Sequence, residues 1–371
     1  MTSSRLKRNA AIAIFAAGIF GWVALAQNTP APIEAEALPI AVAANDANVL
    51  YEGRFDGRDP IGPRAAWPSS AVALRFRGND LNARIRGGSS DRWQIEVDGK
   101  PTTKLALREG EHLYRIASDL KEGEHLVRMV KATEAFFGTT QFVRFELNRG
   151  AQLLAIVPPK HHLEIIGDSI SAGYGNEAAS KEEHFSADTE NAYFTYGAIA
   201  ARELGAGFSD FAWSGKKIWP DNTLPELYDL ALPTDKSSVG NFKTKPDAVL
   251  INLATNDFAG GIPDETGWTK GYKEFVMRVR RNYPDAQIYC AIGTMMGDWD
   301  AGKSLTTLRR YLAKIVADVK AGGDEKIKII DFGTQDGNNG FGADWHPNLK
   351  THRLMADQLR ETLRRDLGWQ P

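Results

Sequence analysis

Cysteine is nearly absent from these 371 residues: Cys290 stands alone, so no intrachain disulfide can form. Export to an oxidising compartment remains compatible with this, because a chain of this length builds a core that needs no staples. Cys290 lies in the apolar run 288–292 and reads as a buried strand residue. Charge imbalance is also missing. Forty-five Lys and Arg face 47 Asp and Glu, a formal net charge of −2, so the chain has no basic signature of nucleic-acid binding. Hydrophobic residues make up 43%, ordinary for a globular protein, which argues against wholesale disorder and against a multi-span membrane protein.

The one long uncharged run is N-terminal. Arg5, Lys7 and Arg8 precede an Ala-, Ile-, Phe- and Val-rich stretch from Asn9 to Ala26 that ends Ala24-Leu25-Ala26 before Gln27. A basic start, an apolar middle and a small-x-small end describe a secretory signal peptide over residues 1–26, so the mature protein would be exported, periplasmic or extracellular, and free of the membrane. The alternative is an uncleaved anchor, since about 17 apolar residues just span a bilayer. Residues 27–45, rich in Ala, Pro and Glu without clear period, read as a linker.

Residues 46–155 have period two. Val72, Leu74 and Phe76 alternate with polar or small residues, as do Leu81, Ala83 and Ile85, then Trp93, Ile95 and Val97, and finally Val143, Phe145 and Leu147. Asp98-Gly99 offers a hairpin turn. Short strands with one apolar face predict an antiparallel β-sandwich without a helix of any length. After Pro158-Pro159 the rhythm changes. Over 160–371, apolar strands at 163–166, 207–211, 248–253, 287–292 and 327–330 alternate with helical patterns. One such face carries Trp268, Tyr272, Phe275, Val276 and Val279. This alternation predicts an α/β domain, a parallel sheet covered on both sides, closed by a helix over 347–367 with Pro347 in its first turn.

The chemistry-bearing residues fall where those strands end. Ile165-Ile166-Gly167-Asp168-Ser169 presents a serine hydroxyl at the carboxyl edge of the sheet, where open α/β folds keep their sites. A serine needs a base and an oxyanion site to become a nucleophile. Of seven histidines, only His346, in Asp344-Trp345-His346-Pro347, falls in a loop at that same edge. Asp344 is the candidate to orient the imidazole, although it sits two residues before it; a backbone carbonyl is the alternative. Gly215, in Trp213-Ser214-Gly215, and Asn256, in Thr255-Asn256-Asp257, follow two further strands and supply oxyanion donors together with the Ser169 amide. A lone Asn or Gly in such a place caps or permits a turn; four blocks in order at strand ends mean more. The His, Asp and Glu residues show no convincing metal-ligand spacing, and this chemistry needs no cofactor. Trp219 and Trp299 fall in loops at the same edge and are candidates for stacking on a sugar ring. Trp345 can equally pack beneath His346.

The set Ser169, Gly215, Asn256 and His346 resembles the SGNH (GDSL-like) hydrolase superfamily from about Leu163 to the C-terminus. Adding Gly53-Arg54-Phe55-Asp56, Trp67-Pro68-Ser69-Ser70, Gly173-Tyr174-Gly175-Asn176 and the Asp-Trp-His-Pro-Asn run ending at Asn348, the chain is similar to carbohydrate esterase family 2. The resemblance implies an N-terminal jelly roll, a flavodoxin-like three-layer hydrolase domain, and deacetylation of plant-type polysaccharides such as acetylated xylan or glucomannan, or of their oligosaccharides. Members of that family support the histidine either with an acid or with a backbone carbonyl. In the wider superfamily the acid usually stands where this chain has Ala343, and Ala254 replaces a glycine common before Thr-Asn-Asp. Two other functions stay open at this stage: a lipase-like or cell-wall deacetylase acting on another ester, and a carbohydrate-binding protein with a silent hydrolase domain.

Overall fold

Alternating apolar side chains pair into strands wherever both faces of a ribbon find partners. The computed structural model describes residues 35–240 and 242–370, so the N-terminal leader and the first part of the linker lie outside the described residues. The first domain contains β1 (Ile40–Ala43), β2 (Leu50–Glu52), β3 (Arg64–Ala65), β4 (Ala71–Arg77), β5 (Leu81–Gly87), β6 (Arg92–Val97), β7 (Lys100–Ala106), β8 (Gly110–Ala117), β9 (Glu124–Lys131), β10 (Thr140–Leu147) and β11 (Gln152–Leu154). One antiparallel sheet runs β1-β10-β5-β8, with β3 against β10; the other runs β11-β4-β9-β6-β7, with β2 against β4. Val72, Leu74, Phe76, Leu81, Ala83, Ile85, Trp93 and Ile95 fill the space between them, as the period-two pattern implied.

Three details depart from the sequence expectation. Strand β1 lies inside the segment read as a linker, because Ile40-Ala41-Val42-Ala43 pairs along Arg144–Leu147. In β10 the register slips between Phe142 and Arg144, so Phe142 rather than Val143 joins Phe145 and Leu147 in the core. A short 3-10 segment, Ala135–Phe137, interrupts the path from β9 to β10. The Asp98-Gly99 turn forms as expected, both residues having positive φ (50° and 76°).

The second domain follows as β12 (His162–Gly167), α1 (Ser169–Ala172), α2 (Tyr196–Glu203), β13 (Gly207–Ala212), β14 (Ala248–Asn252), α3 (Thr255–Phe258), α4 (Glu265–Asn282), β15 (Gln287–Ile292), α5 (Ser304–Ala321), β16 (Ile327–Asp331) and α6 (Leu349–Leu367). Its strands are parallel in the order β13-β12-β14-β15-β16. Helices α4 and α5 pack on one face of the sheet, and α2 and α6 on the other. Cys290 is fully buried in β15. The last helix starts two residues later than expected, because the Asn348 side chain accepts from the Thr351 amide and caps it.

The two domains are riveted together. Trp67 of the sandwich is wholly buried against Phe211 of β13, and its indole N–H donates to the Leu230 carbonyl at 3.0 Å. Arg54 enters a cage of Phe211, Tyr228 and Phe242, its guanidinium 3.7, 4.5 and 4.4 Å from the three ring centroids.

Candidate active site

The chain leaves β12 for β13 on one side and later adds β14 on the other, so β12 is the point where the sheet order reverses. Ligand crevices in open α/β sheets form outside that point. Ser169 opens α1 there. Gly167 is required for the tight reversal: a Cβ on it would sit 2.2 Å from the Ser171 hydroxyl oxygen. Asp168 caps α1, accepting from the Ile170 amide at 3.0 Å. Burial raises the Asp168 carboxyl to about 7. The Ser169 amide lies in the first turn, where N–H groups have no intrahelical acceptor.

Ser169 and His346 meet across 177 residues, Oγ to Nε2, at 2.9 Å. Both are buried, each about 6% exposed. Nδ1 of the same ring lies 3.2 Å from the Ala343 carbonyl and 3.3 Å from that of Asp344. Carbonyls only accept, so the proton sits on Nδ1 and Nε2 is left to accept from the serine hydroxyl. Burial pushes the imidazole down to about 4, against the pull of those two carbonyls, so the ring is neutral at pH 7.

Asp344 does not orient the imidazole through its carboxylate. That group accepts instead from the Tyr174 hydroxyl (2.9 Å), the Phe185 amide (3.1 Å) and the His184 ring nitrogen (2.9 Å). The cause is local: Asp344 and Trp345 both have positive φ (48° and 69°), which turns the carbonyls of 343 and 344 toward the ring and the Asp344 side chain away. Burial raises the Asp344 carboxyl, but the bonds from His184, Tyr174 and Phe185 outweigh it and hold the group below its usual range. Tyr174, anchored by Asp344, stacks on His346 with centroids 4.0 Å apart and on Phe185 at the same distance. The turn is seated by close packing, since a Cβ on Gly175 would fall 2.3 Å from the Ala343 methyl.

Gly215 and Asn256 arrive at the same edge because β13 and β14 flank β12 in register, Ala212 and Asn252 both opposite Gly167. Gly215 has φ 78°, a backbone conformation natural to glycine. Asn256 donates one amide proton to the Lys216 carbonyl at 3.0 Å, which leaves its second N–H available. Its neighbour Asp257 accepts from the Ile218 and Trp219 amides (3.1 and 3.0 Å) and from the Trp268 indole (2.9 Å), fixing the far end of the glycine loop. Ala254, just before this block, holds φ 136°, again a glycine conformation.

The tryptophans divide. Trp219, expected as a sugar platform, lies against α4: Cβ atoms on Gly267 and Gly271 would fall 2.6 and 3.2 Å from its side chain. Those two glycines, one helical turn apart, make the groove against which the half-buried indole packs. Trp299 is 69% exposed, over Gly297. Trp345 is 46% exposed rather than tucked beneath the histidine, with the Lys181 ammonium 3.7 Å from its ring centroid. Phe136, 43% exposed on the sandwich loop, contacts Trp213 and Phe185 and brings the first domain to the rim. Nothing in its local sequence marked it. Tyr174 was legible only as part of a motif, its ring-stacking role not at all.

The chain matches the carbohydrate esterase 2 N-terminal family over residues 51–158 and the GDSL-like lipase/acylhydrolase family over residues 165–354. A solved family two carbohydrate esterase from Clostridium thermocellum, in complex with cellohexaose, is 39% identical, with a TM-score of 0.82 and coverage of 86% of this chain and 99% of that one. The cellulase/esterase CelE of Acetivibrio thermocellus is 39% identical over 331 residues, 88% of this chain but only 40% of CelE. This chain therefore spans two fifths of that relative. An acetylxylan esterase/glucomannan deacetylase of Cellvibrio japonicus is 26% identical over 372 residues, covering 95% of this chain and 98% of that protein. With both of its domains matched in order, and a 39% identical structure covered almost end to end, the chain belongs to the family two carbohydrate esterases.

Proposed function

We propose that this protein is an exported serine esterase that removes O-acetyl groups from carbohydrates, acetylated xylan or glucomannan or their oligosaccharides, through an acetyl-serine intermediate. The observation that carries the proposal is the 2.9 Å Ser169–His346 contact with a neutral, Nδ1-protonated ring. His346 Nε2 takes the serine proton as Oγ attacks the acetyl carbonyl, and the Ala343 and Asp344 carbonyls stabilise the imidazolium in place of a carboxylate. The oxyanion that forms lies among the Ser169 and Gly215 amides and the Asn256 side chain. His346 then returns the proton to the departing sugar oxygen. In the second half, water attacks the acetyl-serine, His346 again takes the proton, and acetate leaves with Ser169 regenerated.

A sugar substrate is supported by the exposed aromatic faces of Trp299 and Trp345, onto which the C–H faces of pyranose rings stack. The names and bound ligand of the relatives point the same way. Export, as the N-terminal run suggests, would bring the enzyme to polymers that do not enter cells.

The test compares acetate release from acetylated xylan and acetylated glucomannan with hydrolysis of 4-nitrophenyl esters of two to twelve carbons. Release from the polysaccharides with a sharp preference for acetyl supports the proposal. A preference for long acyl chains assigns the site to lipid esters, and sugar binding without turnover assigns the fold to recognition alone.

A further inference from the structure

We propose that Glu134, a residue of the β-sandwich, is a positioning residue for the oxyanion hole, so that the first domain completes the active site of the second. This rests on the serine-esterase reading above.

Gly215 has open space where its Cβ would be, with nothing within 4 Å, and its own hold is the Asn222 side-chain amide donating to its carbonyl at 3.1 Å. Its amide must therefore be aimed by what grips the residues around it. On the C-terminal side, Asn256 holds the Lys216 carbonyl, and Asp257 holds the Ile218 and Trp219 amides, all from within the hydrolase domain. On the N-terminal side the Trp213 amide is tied to the Gly167 carbonyl and the Lys216 amide closes a turn onto the Trp213 carbonyl, while Ser214 between them is gripped from the other domain. Both polar groups of Ser214 donate to Glu134, the amide to Oε2 and the hydroxyl to Oε1. With both its donors pinned, Ser214 loses the rotation about its own backbone that would swing the next amide, that of Gly215, away from Ser169.

The chemistry of Glu134 fits this task better than it fits domain docking. It is completely buried, beside a second completely buried carboxyl, Glu190, which accepts from the Glu134 amide at 3.1 Å. Burying two acids together is costly, and one of them must carry the proton. Burial and the neighbouring Glu134 push Glu190 far up, so Glu190 is the neutral member. Burial raises Glu134 as well, but there the two Ser214 donors and the nearby Lys131 ammonium pull against it, which makes Glu134 the member of the pair better placed to hold charge. Docking is already provided by Trp67 and by Arg54 in its aromatic cage. A buried carboxylate directed at the residue preceding the oxyanion donor adds direction, which Asp or Glu supplies and an apolar contact does not. Glu134 also opens the 3-10 segment that carries Phe136 to the rim, so one loop of the sandwich aims the glycine loop and walls the cleft.

The experiment measures kcat and KM on 4-nitrophenyl acetate, and the rate at which diethyl 4-nitrophenyl phosphate inactivates Ser169, whose phosphoryl oxygen must enter the same hole. Wild type, Glu134→Gln, Ser214→Ala and Ser169→Ala are compared, each with its thermal midpoint. Misaiming one donor lowers kcat by about tenfold to a hundredfold in Glu134→Gln, at unchanged KM and with a parallel fall in the inactivation rate. Ser214→Ala, which removes one of the two donors and leaves the buried pair intact, shows a smaller loss of the same kind and carries the test should Glu134→Gln not fold. A folded variant with unchanged kcat and inactivation rate, or with a loss confined to KM, overturns the proposal. Turnover surviving in Ser169→Ala would instead overturn the esterase reading on which it rests.

Discussion

Replacing Asp344 by Asn separates two ways of supporting a catalytic histidine. If the carboxylate held the imidazole, its loss would cost on the order of 10⁴ in turnover, or about 5.5 kcal/mol. In this structure the Nδ1 proton meets the carbonyls of Ala343 and Asp344, which the substitution leaves in place. What changes is the anchor under Tyr174. Asn keeps one oxygen to accept from Tyr174 or Phe185, tolerates the φ of 48°, and gives up only the charge facing His184, whose side chain is 90% exposed. We expect kcat/KM to stay within about tenfold of wild type. Asp344→Ala goes further. It removes the acceptor of three hydrogen bonds at roughly 1 kcal/mol each and places Ala in a left-handed conformation worth another 1–2 kcal/mol. Stability should therefore fall by about 4–5 kcal/mol while the folded fraction keeps most of its activity. Kinetics on 4-nitrophenyl acetate with urea unfolding of the same samples reads both quantities. A folded Asp344→Asn that loses a thousandfold would refute the reasoning and return the carboxylate to the ring.

Four other outcomes follow from the geometry. With His346 lowered to about 4, kcat/KM should hold from neutral pH downward and decline only near pH 4, not near 6.5; an acid limb at 6.5 in protein shown to be folded contradicts this. Burial likewise lowers His162 to about 4, so between about 4 and 6.5 the unfolded chain binds a proton there that the folded one refuses and this side chain's own contribution to stability falls as pH falls; the urea stability lost in His162→Gln should be smaller at pH 5 than at pH 7, and an equal loss at both contradicts this. Ala254→Gly relieves a φ of 136° and should raise stability by about 1 kcal/mol without changing KM, an effect read from the thermal midpoint. Arg54→Ala empties the cage of Phe211, Tyr228 and Phe242 and should cost about 2–4 kcal/mol in one cooperative transition, whereas two separate transitions would show that the domains do not unfold together.

How much of this was legible in the sequence depended on whether the cause was local. Four of the five parallel strands announced themselves as largely apolar runs buried on both faces, the edge strand β16 exposing Lys328 and Ile329, and the run into Gly-Asp-Ser located Ser169 because Gly167 must make the turn. Pairing Ser169 with His346 needed only the rule that strands end at one edge. The role of Asp344 was not legible, because it turns on the positive φ of two residues, Asp344 and Trp345, whose types do not demand it. Trp219, followed by Pro220, looked like an open loop residue; its seat is made by Gly267 and Gly271, half a hundred residues away in α4. Glu134 was beyond reach for the same reason, since its partner Ser214 lies 80 residues on in another domain. Strand β1 was missed because four small and apolar residues in an Ala- and Pro-rich stretch carry too little alternation to show without their partner β10.

The most direct test of the serine mechanism is to look for its intermediate. Enzyme mixed with an acetyl ester, quenched in acid within its first turnovers and digested, should yield the peptide containing Ser169 with an acetyl group on it. Ser169→Ala should release no acetate and carry no acetyl on that peptide. An acetyl group found elsewhere on the chain, or turnover that survives in Ser169→Ala, would contradict the mechanism.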